Sequence, residues 1–267
     1  MTTAILSTDS LRTLAPSIFA TTPWAGVGPN YRFVPSIDVL GMMADQGFHP
    51  VMASQSRSRI PGKGVFTKHL VRLRHRDHVD TGLHAEVPEL VLVNSHDRTS
   101  AYKIFAGILR TVCSNGLVVC SEDYGSFSLR HSGSRSLRDQ IIETTGEVIG
   151  VTRKAFDDIR EWKGITLTRP QQLALANAAM EIKPNDSIRP AHLLTSRREE
   201  DDIDQEGNRD LYRTTNVLQE NLIRGGIRGR NARGRKVSTR PVKSVTGDLA
   251  VNRALWRLAD EMSRLVK

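Results

Sequence analysis

The sequence predicts an α+β fold, in which an antiparallel β-sheet built of hairpins forms the N-terminal half and helices of the C-terminal half pack against it. Apolar and polar residues alternate along much of residues 31–133, as they do on strands. From residue 134 onwards, apolar residues recur at helical spacing. These observations predict a single α+β domain over residues 31–267, preceded by a loose lead-in over residues 1–30.

The elements before the sheet are expected to be short. The lead-in ends in the Gly/Pro-rich stretch PWAGVGPN, and YRFV at 31–34 is a candidate strand. Ser36 follows Pro35 and is expected to cap a short helix. Gly47 would end that helix, because glycine readily adopts the left-handed backbone found after helices.

Two hairpins follow. In the first, VMASQSRSRI and VFTKHLVRLRH are expected to pair through a turn at PGKG. In the second, VPELVLVNS and SAYKIFAGILRTV flank the turn HDRT. The apolar run Leu90 to Val93 predicts a central strand that is covered on both faces. FSLRH at 127–131 is a candidate further strand.

Four helices are predicted in the C-terminal half. The second begins with Thr168 as its N-cap and Pro170 in its first turn, and the charged connector RREEDDIDQEG separates it from the third. The four stretches are SLRDQIIETTGEVIGVTRKAFDDIREW, RPQQLALANAAMEI, RDLYRTTNVLQENLI and LAVNRALWRLADEMSRLV.

Composition narrows the class of protein. The formal net charge is +9 and the pI is about 9.9, which favours an anionic partner. Two cysteines, Cys113 and Cys120, argue against a disulfide framework and suit a reducing cytoplasm. The N-terminus lacks the features of a signal peptide, and no run of apolar residues is long enough to span a membrane. We therefore expect a cytoplasmic protein with no membrane partner.

Residues 224–245 form a basic segment with four glycines and no acidic residue. Such a composition cannot form a core, so we expect a flexible loop held at both ends by helices. Guanidinium groups pair bidentately with phosphate, and the segment is therefore a candidate nucleic-acid-binding site. Its cationic residues are Arg224, Arg228, Arg230, Arg233, Arg235, Lys236, Arg240 and Lys243.

A second basic surface is expected on the first hairpin. Lys68, Arg72 and Arg74 alternate along one strand, and Arg57 and Arg59 lie on its partner. Five cations on one sheet face repel one another unless an anion, or acidic residues from elsewhere, neutralise them. Few aromatic residues lie nearby, so contact with a nucleic-acid backbone is expected to outweigh base stacking.

Candidate catalytic groups are few. His96 beside Asp97 has the pattern of an oriented base, although this stretch is also typical of a turn. Cys113 is expected to pack as a small apolar residue. A metal site would have to gather Cys113, His69, His96 and His131, which lack the local spacing of ligands. We predict no catalytic residue, no metal and no cofactor.

Long strings in this sequence resemble the YafZ/YfjQ/YubP-like family of plasmid and prophage proteins of unknown function. They include YRFVPSIDVLGMMADQGFHPVMASQSRSRIPGKGVFTKHLVRLRH, VPELVLVNSHDRTSAYKIFAGILRTVCSNGLVV and LQENLIRGGIRGRNARGRKVSTRPVKSV. The resemblance covers roughly residues 14–265 and implies a bacterial cytoplasm and a mobile genetic element. Arg98 stands where the family turn SHDGTS has glycine, which argues against a left-handed backbone there.

The preferred hypothesis is a nucleic-acid-binding protein that contacts the backbone of single-stranded or duplex DNA without turnover. Binding or annealing of DNA would serve plasmid or phage replication, recombination or repair, and a homo-oligomer is compatible with it. One alternative is an anti-defence or regulatory protein that docks on an acidic host protein through the basic segment. A second is a metal-assisted nuclease or hydrolase that uses His69, His96, Asp97 or His131.

Overall fold

The computed structural model describes residues 4–28, 31, 33–79, 86–110, 116–118, 127–128 and 137–267. The chain divides into two compact units, residues 1–152 and 153–267. Unit 1 contains the β-sheet, unit 2 is mainly helical, and the predicted α+β class is confirmed. None of the helices in these ranges is long and apolar enough to cross a lipid bilayer.

The sheet of unit 1 is antiparallel and has the strand order β1-β2-β3-β4-β5, with β6 also paired to β4. Leu70 to Val93 and Leu73 to Leu90 are among the pairs that fix the register of β2 and β3. The strands are β1 (Phe48–Gln55), β2 (His69–His75), β3 (Glu86–Asn94), β4 (Lys103–Arg110), β5 (Gly116–Val118) and β6 (Phe127–Ser128).

The central position of β3 is confirmed. Each residue from Leu90 to Val93 is at most 2% exposed, because β3 has strand neighbours on both edges and is covered on both faces. The continuous apolar run in the sequence is the direct cause of this placement, since a strand buried on both faces needs no polar alternation.

Three details of unit 1 differ from the expectations. The lead-in is packed, since it forms helix α1 (Thr8–Leu14) and a 3-10 turn (Pro16–Phe19), and the side chains of Ala15, between them, and Ile18, in the turn, are fully buried. Tyr31, Phe33 and Val34 lie in no strand. The first hairpin is joined by residues 56–68, with a 3-10 turn at Lys63–Phe66, rather than by PGKG alone.

Helix α2 (Ser36–Asp45) follows as expected, but its N-cap residue is Pro35 and Ser36 is its first residue. Gly47 adopts φ +86° just beyond the helix. A Cβ there would also lie 2.7 Å from Nε2 of His75, so this position needs glycine for both backbone and space.

Unit 2 is built around helix α6 (Leu211–Arg224), which is buried along most of its length. Helix α7 (Val245–Leu265) packs against α6 and against α4 (Arg169–Ile182), and the rings of Trp162 and Trp256 lie 4.6 Å apart. Thr168 is the N-cap of α4 as predicted, and with Gln171 it forms a capping box. The helices are α3 (Leu137–Gly164), which spans the boundary between the units, α4 (Arg169–Ile182), α5 (Pro190–Leu193), α6 (Leu211–Arg224) and α7 (Val245–Leu265).

Candidate nucleic-acid interface

The basic segment of unit 2 is a β-hairpin, not the flexible loop that the composition suggests. Strands β7 (Arg228–Arg230) and β8 (Lys236–Ser238) pair in antiparallel register. Oδ1 of Asn231 accepts hydrogen bonds from the backbone N–H groups of Arg233 and Arg235, both at 3.0 Å. Gly234 adopts φ +72° within the same turn. The Asn and Gly of the tip therefore supply the turn chemistry that a hairpin requires.

Two other glycines allow close backbone approach, Gly229 between the hairpin and another segment of unit 2 and Gly225 at the base of the basic segment itself. A Cβ on Gly229 would lie 1.9 Å from the carbonyl oxygen of Ser187, and the N–H of neighbouring Arg230 donates to that oxygen at 2.8 Å. A Cβ on Gly225, which has φ +64°, would lie 2.6 Å from the carbonyl carbon of Arg240. Glycine serves here for close backbone approach rather than for flexibility.

Two cations outside the segment hold its base. Nζ of Lys183 donates to the carbonyl oxygens of Leu222, at 3.3 Å, and of Arg240. Arg197 donates through Nε to Oδ1 of Asn221 at 2.8 Å and through Nη2 to the carbonyl oxygen of Gly225. Burial lowers the pKa of Lys183. Two of the acceptors, the carbonyl oxygens of Leu222 and Gly225, lie at the C-terminal end of α6, where carbonyls have no partner within the helix.

The charges of the segment divide into one paired arginine and seven exposed cations. Arg224 forms an ion pair with Glu220 at 2.8 Å, and Glu220 also pairs with Arg198 at 2.7 Å. Within the part of the chain that the structure describes, no ion pair involves the other seven, and all are exposed. We call these seven the hairpin cations: Arg228, Arg230, Arg233, Arg235, Lys236, Arg240 and Lys243.

The basic surface expected on the first hairpin is corrected for Arg72 and Arg74. Both side chains are buried, and Glu89 lies between them on β3, accepting from Nε of Arg72 at 2.6 Å and from Nη2 of Arg74 at 2.8 Å. Glu89 is directly opposite Arg74 in the strand register. The signal for this pairing was the carboxylate of Glu89, directly before the apolar run Leu90 to Val93. It can be interpreted only once the strand register places Glu89 beside the arginines of β2.

The remaining members of that surface are dispersed. Arg57 and Arg59 are exposed on the connection between β1 and β2, outside either strand. Lys68 is half-buried just before β2 and has an interaction of its own. The five cations therefore do not form one sheet face. Of the basic surface expected in unit 1, the two exposed arginines Arg57 and Arg59 remain.

Two histidines of unit 1, His69 and His96, form a buried cluster where β2 begins and β3 ends. Nδ1 of His69 lies 2.9 Å from Oγ of Ser17, and its Nε2 lies 2.8 Å from Oγ of Ser36. Ser36 Oγ also accepts from Nδ2 of Asn94 at 3.0 Å, and the His69 and His96 rings lie 5.4 Å apart. This network joins the lead-in, α2 and two strands. No local pattern in the sequence indicates that the two serines take part in it.

Burial keeps both histidines neutral. Desolvation, with a further contribution from His96, lowers the pKa of His69 to about 3. Desolvation also lowers the pKa of His96 to about 4, although Asp97 and the Ser17 backbone act in the opposite direction. Neutral imidazoles buried in this way hold four elements together rather than face a substrate.

The candidate pairing of His96 with Asp97 as an oriented base, the alternative to a turn, is not formed. The carboxylate of Asp97 instead accepts from Oγ1 of Thr99 at 2.6 Å and pairs with Nζ of Lys63 at 3.2 Å. Among the described residues, no group of three His, Cys, Asp or Glu side chains could hold a metal ion. His131 and Cys113 lie outside the described residues.

The turn that follows β3 contains an unusual backbone conformation. Arg98 adopts φ +63°, the left-handed region, although its side chain argued against it. Thr99 N–H donates to Oδ1 of Asp97 at 3.1 Å within the same turn. The turn therefore keeps a conformation that glycine would adopt more easily.

Comparison with known proteins assigns the chain to a family. The model of the family described as "Domain of unknown function (DUF932)" matches residues 23–256, and the chain belongs to that family. It is 36% identical over 260 residues to the UPF0380 protein YafZ of Escherichia coli (strain K12), a match that covers 96% of this chain and 91% of the relative. The UPF0380 protein YfjQ of the same strain matches with equal identity and coverage. The resemblance to these proteins is confirmed, and no solved structure matches the chain at a significant level.

Proposed function

We propose that this protein binds DNA through its phosphate backbone, in the bacterial cytoplasm, as part of plasmid or phage replication, recombination or repair. The observation that carries the proposal is the set of seven exposed hairpin cations on an ordered scaffold, with no carboxylate partner in the described residues. Cations held in place without intramolecular counterions are suited to neutralise a polyanion, since binding releases the counterions of the nucleic acid.

The position of the hairpin adds to this argument. Its two strands are anchored by Gly229, Gly225, Lys183 and Arg197, so binding does not have to order a free loop. Preorganised arginines lose less entropy on binding than arginines on a disordered chain. Binding through the backbone predicts weak preference for base sequence.

The decisive experiment is fluorescence anisotropy with labelled DNA over a salt series. We expect affinity to fall by roughly a hundredfold between about 50 and 200 mM salt, as several phosphate contacts require. Replacing Arg228, Arg230, Arg233 and Arg235 together by alanine should abolish most of the affinity. It should also reduce the slope of log affinity against log salt by about 3, at roughly 0.7–0.9 per lost contact.

A charge-matched control separates the site from net charge alone. Four exposed arginines on the helices of unit 2, Arg153, Arg160, Arg257 and Arg264, can be replaced by alanine with the same loss of charge. This control variant should keep affinity within about threefold. Absent or salt-independent binding by the unaltered protein would overturn the proposal, as would equal losses in the two variants. A protein partner that survives nuclease treatment while DNA binding is absent would favour docking on an acidic host protein instead.

A further inference from the structure

A cleft of about 850 Å³ lies beside the basic hairpin, within unit 2. One wall is the segment 186–192, and the other is formed by β7 and β8. The first wall contributes Arg189 and His192, and the second contributes Arg228, Arg230 and Lys236. Cationic groups therefore face the cleft from both sides, while Asp186 is the acidic residue that lines it. A cleft of this size is in the range of about 300–1,000 Å³ that encloses small ligands.

The tautomer of the neutral His192 ring is set by a hydrogen bond from the backbone of Arg189. Nδ1 of His192 accepts a hydrogen bond from the N–H of Arg189 at 3.1 Å. An N–H group can only donate, so Nδ1 carries no proton and the proton of the neutral ring lies on Nε2. The Nε2–H group of the neutral His192 ring is therefore a donor from which an anionic oxygen can accept.

Arg189 adds a second group that can pair with an anionic oxygen on the same wall of the cleft. Its side chain is exposed and takes part in no ion pair among the described residues. It lies three residues from His192 on a wall that is joined to β7 by the hydrogen bond from the Arg230 N–H to the Ser187 carbonyl oxygen. The spacing between the two walls is therefore fixed by backbone contact rather than by long side chains.

We infer that this two-walled cleft is a phosphate-binding site that receives the backbone of single-stranded nucleic acid, with His192 Nε2 and Arg189 as ligands beside Arg228, Arg230 and Lys236. The inference rests on the proposed DNA binding and adds to it the strand form and two further residues. A single strand can enter a cleft between two walls, whereas the wide surface of a duplex would contact only the rims.

The docking of the hairpin argues against the alternative of a ribbon that reads duplex DNA. The major groove, which is roughly 12 Å wide, admits a two-stranded ribbon, but a segment packed along the edge of that ribbon makes it too wide to enter. Here Gly229 lies directly against the Ser187 carbonyl, so β7 is already covered on one side. Oδ1 of Asn231 also accepts hydrogen bonds within its own turn and is not available to accept from a base.

The test compares an oligothymidylate with a duplex of equal length by anisotropy at low salt. We expect the single strand to bind at least about tenfold more tightly. Arg189→Ala should weaken single-strand binding several-fold and reduce the salt slope by about 0.7, the value for one phosphate contact on a single strand. Asp186→Asn should strengthen binding, because it removes the one acidic group that lines the cleft.

Two variants of His192 distinguish binding from folding. His192→Asn keeps a polar atom near the position of Nδ1, which can still accept from Arg189, but has nothing at the position of Nε2. His192→Gln places an amide near Nε2. We expect several-fold weaker binding for the asparagine variant at unchanged thermal stability, and recovery of most of the affinity in the glutamine variant. Arg160→Ala, which removes one exposed charge on α3, is the control and should leave binding unchanged.

The outcomes separate the two claims. If the unaltered protein binds neither form of DNA, the proposed function fails, and this inference fails with it. If the unaltered protein binds DNA and the four hairpin substitutions weaken that binding, the proposed function stands. Only the single-strand cleft is then overturned if duplex and single strand bind equally, or if the Arg189 and His192 variants bind normally.

Discussion

Two arginine clusters, one in each unit, differ in what neutralises them. On β2, Arg72 and Arg74 are buried and share the carboxylate of Glu89. On the hairpin of unit 2, the seven cations are exposed and have no carboxylate partner in the described part of the chain. A buried charge must be paired because its removal from water costs much free energy, whereas an exposed charge stays hydrated and can pair with an external counterion. The first cluster therefore belongs to the stability of the protein and the second to its binding.

The largest expected effect tests the buried cluster. Glu89→Gln leaves two buried guanidinium groups without their counterion, and we expect a loss of about 3–5 kcal/mol in the free energy of unfolding, measured by urea denaturation. Glu199→Gln changes an exposed acidic residue and should stay within about 0.5 kcal/mol. A loss below about 1 kcal/mol for Glu89→Gln would remove the distinction between the two clusters.

The histidine cluster extends the comparison to groups that are buried without charge. The folded-state pKa values of His69 and His96, about 3 and about 4, lie below the ordinary value of 6.5. The unfolded state therefore takes up protons first, so stability is complete above pH 6.5 and is lost as pH falls towards the folded values. By linkage, His69 alone should contribute a loss of about 2 kcal/mol at about pH 5.

The measurement is urea denaturation at a series of pH values for the unaltered protein and for His69→Gln. The variant cannot become charged, so its stability should fall less steeply between about pH 6.5 and pH 5, even if it is less stable at neutral pH. Equal pH slopes for the two proteins would show that His69 does not stay neutral in the folded state.

Close docking of the exposed cluster gives the next largest effect. Gly229→Ala places a methyl group 1.9 Å from the Ser187 carbonyl oxygen, so β7 has to move, at about 1–3 kcal/mol. We expect weaker DNA binding together with this loss, because the arginines leave their positions. Gly207→Ala is the control, since no atom lies within 4 Å of an added Cβ there. Normal DNA affinity in Gly229→Ala would mean that the hairpin arginines bind without a fixed scaffold.

The two clusters also show how far the sequence could predict the molecule. The central strand at Leu90 to Val93 and the capped helix at Thr168 were predictable, because apolar periodicity and caps are local signals. The burial of Arg72 was not, because it depends on the register that places Glu89 beside it. That the basic segment forms a hairpin was not predicted, for a similar reason. Glycine in a charged stretch indicates flexibility unless a tertiary contact, such as that of Gly229 with Ser187, is known.

The smallest predicted effect concerns Arg98, an exposed arginine whose backbone adopts the left-handed conformation. A side chain at φ +63° is strained by about 1 kcal/mol, and glycine relieves the strain while increasing the entropy of the unfolded chain. Because the strain at positive φ outweighs the entropy, Arg98→Gly should stabilise the protein by about 0.5–1 kcal/mol, measured by urea denaturation. Arg59→Gly, at an exposed loop position that does not share the positive φ, has no strain to relieve and should be neutral or slightly destabilising. Stabilisation by both substitutions would point to loss of positive charge as the cause, and stabilisation by neither would mean that the surrounding turn, rather than the arginine, carries the strain.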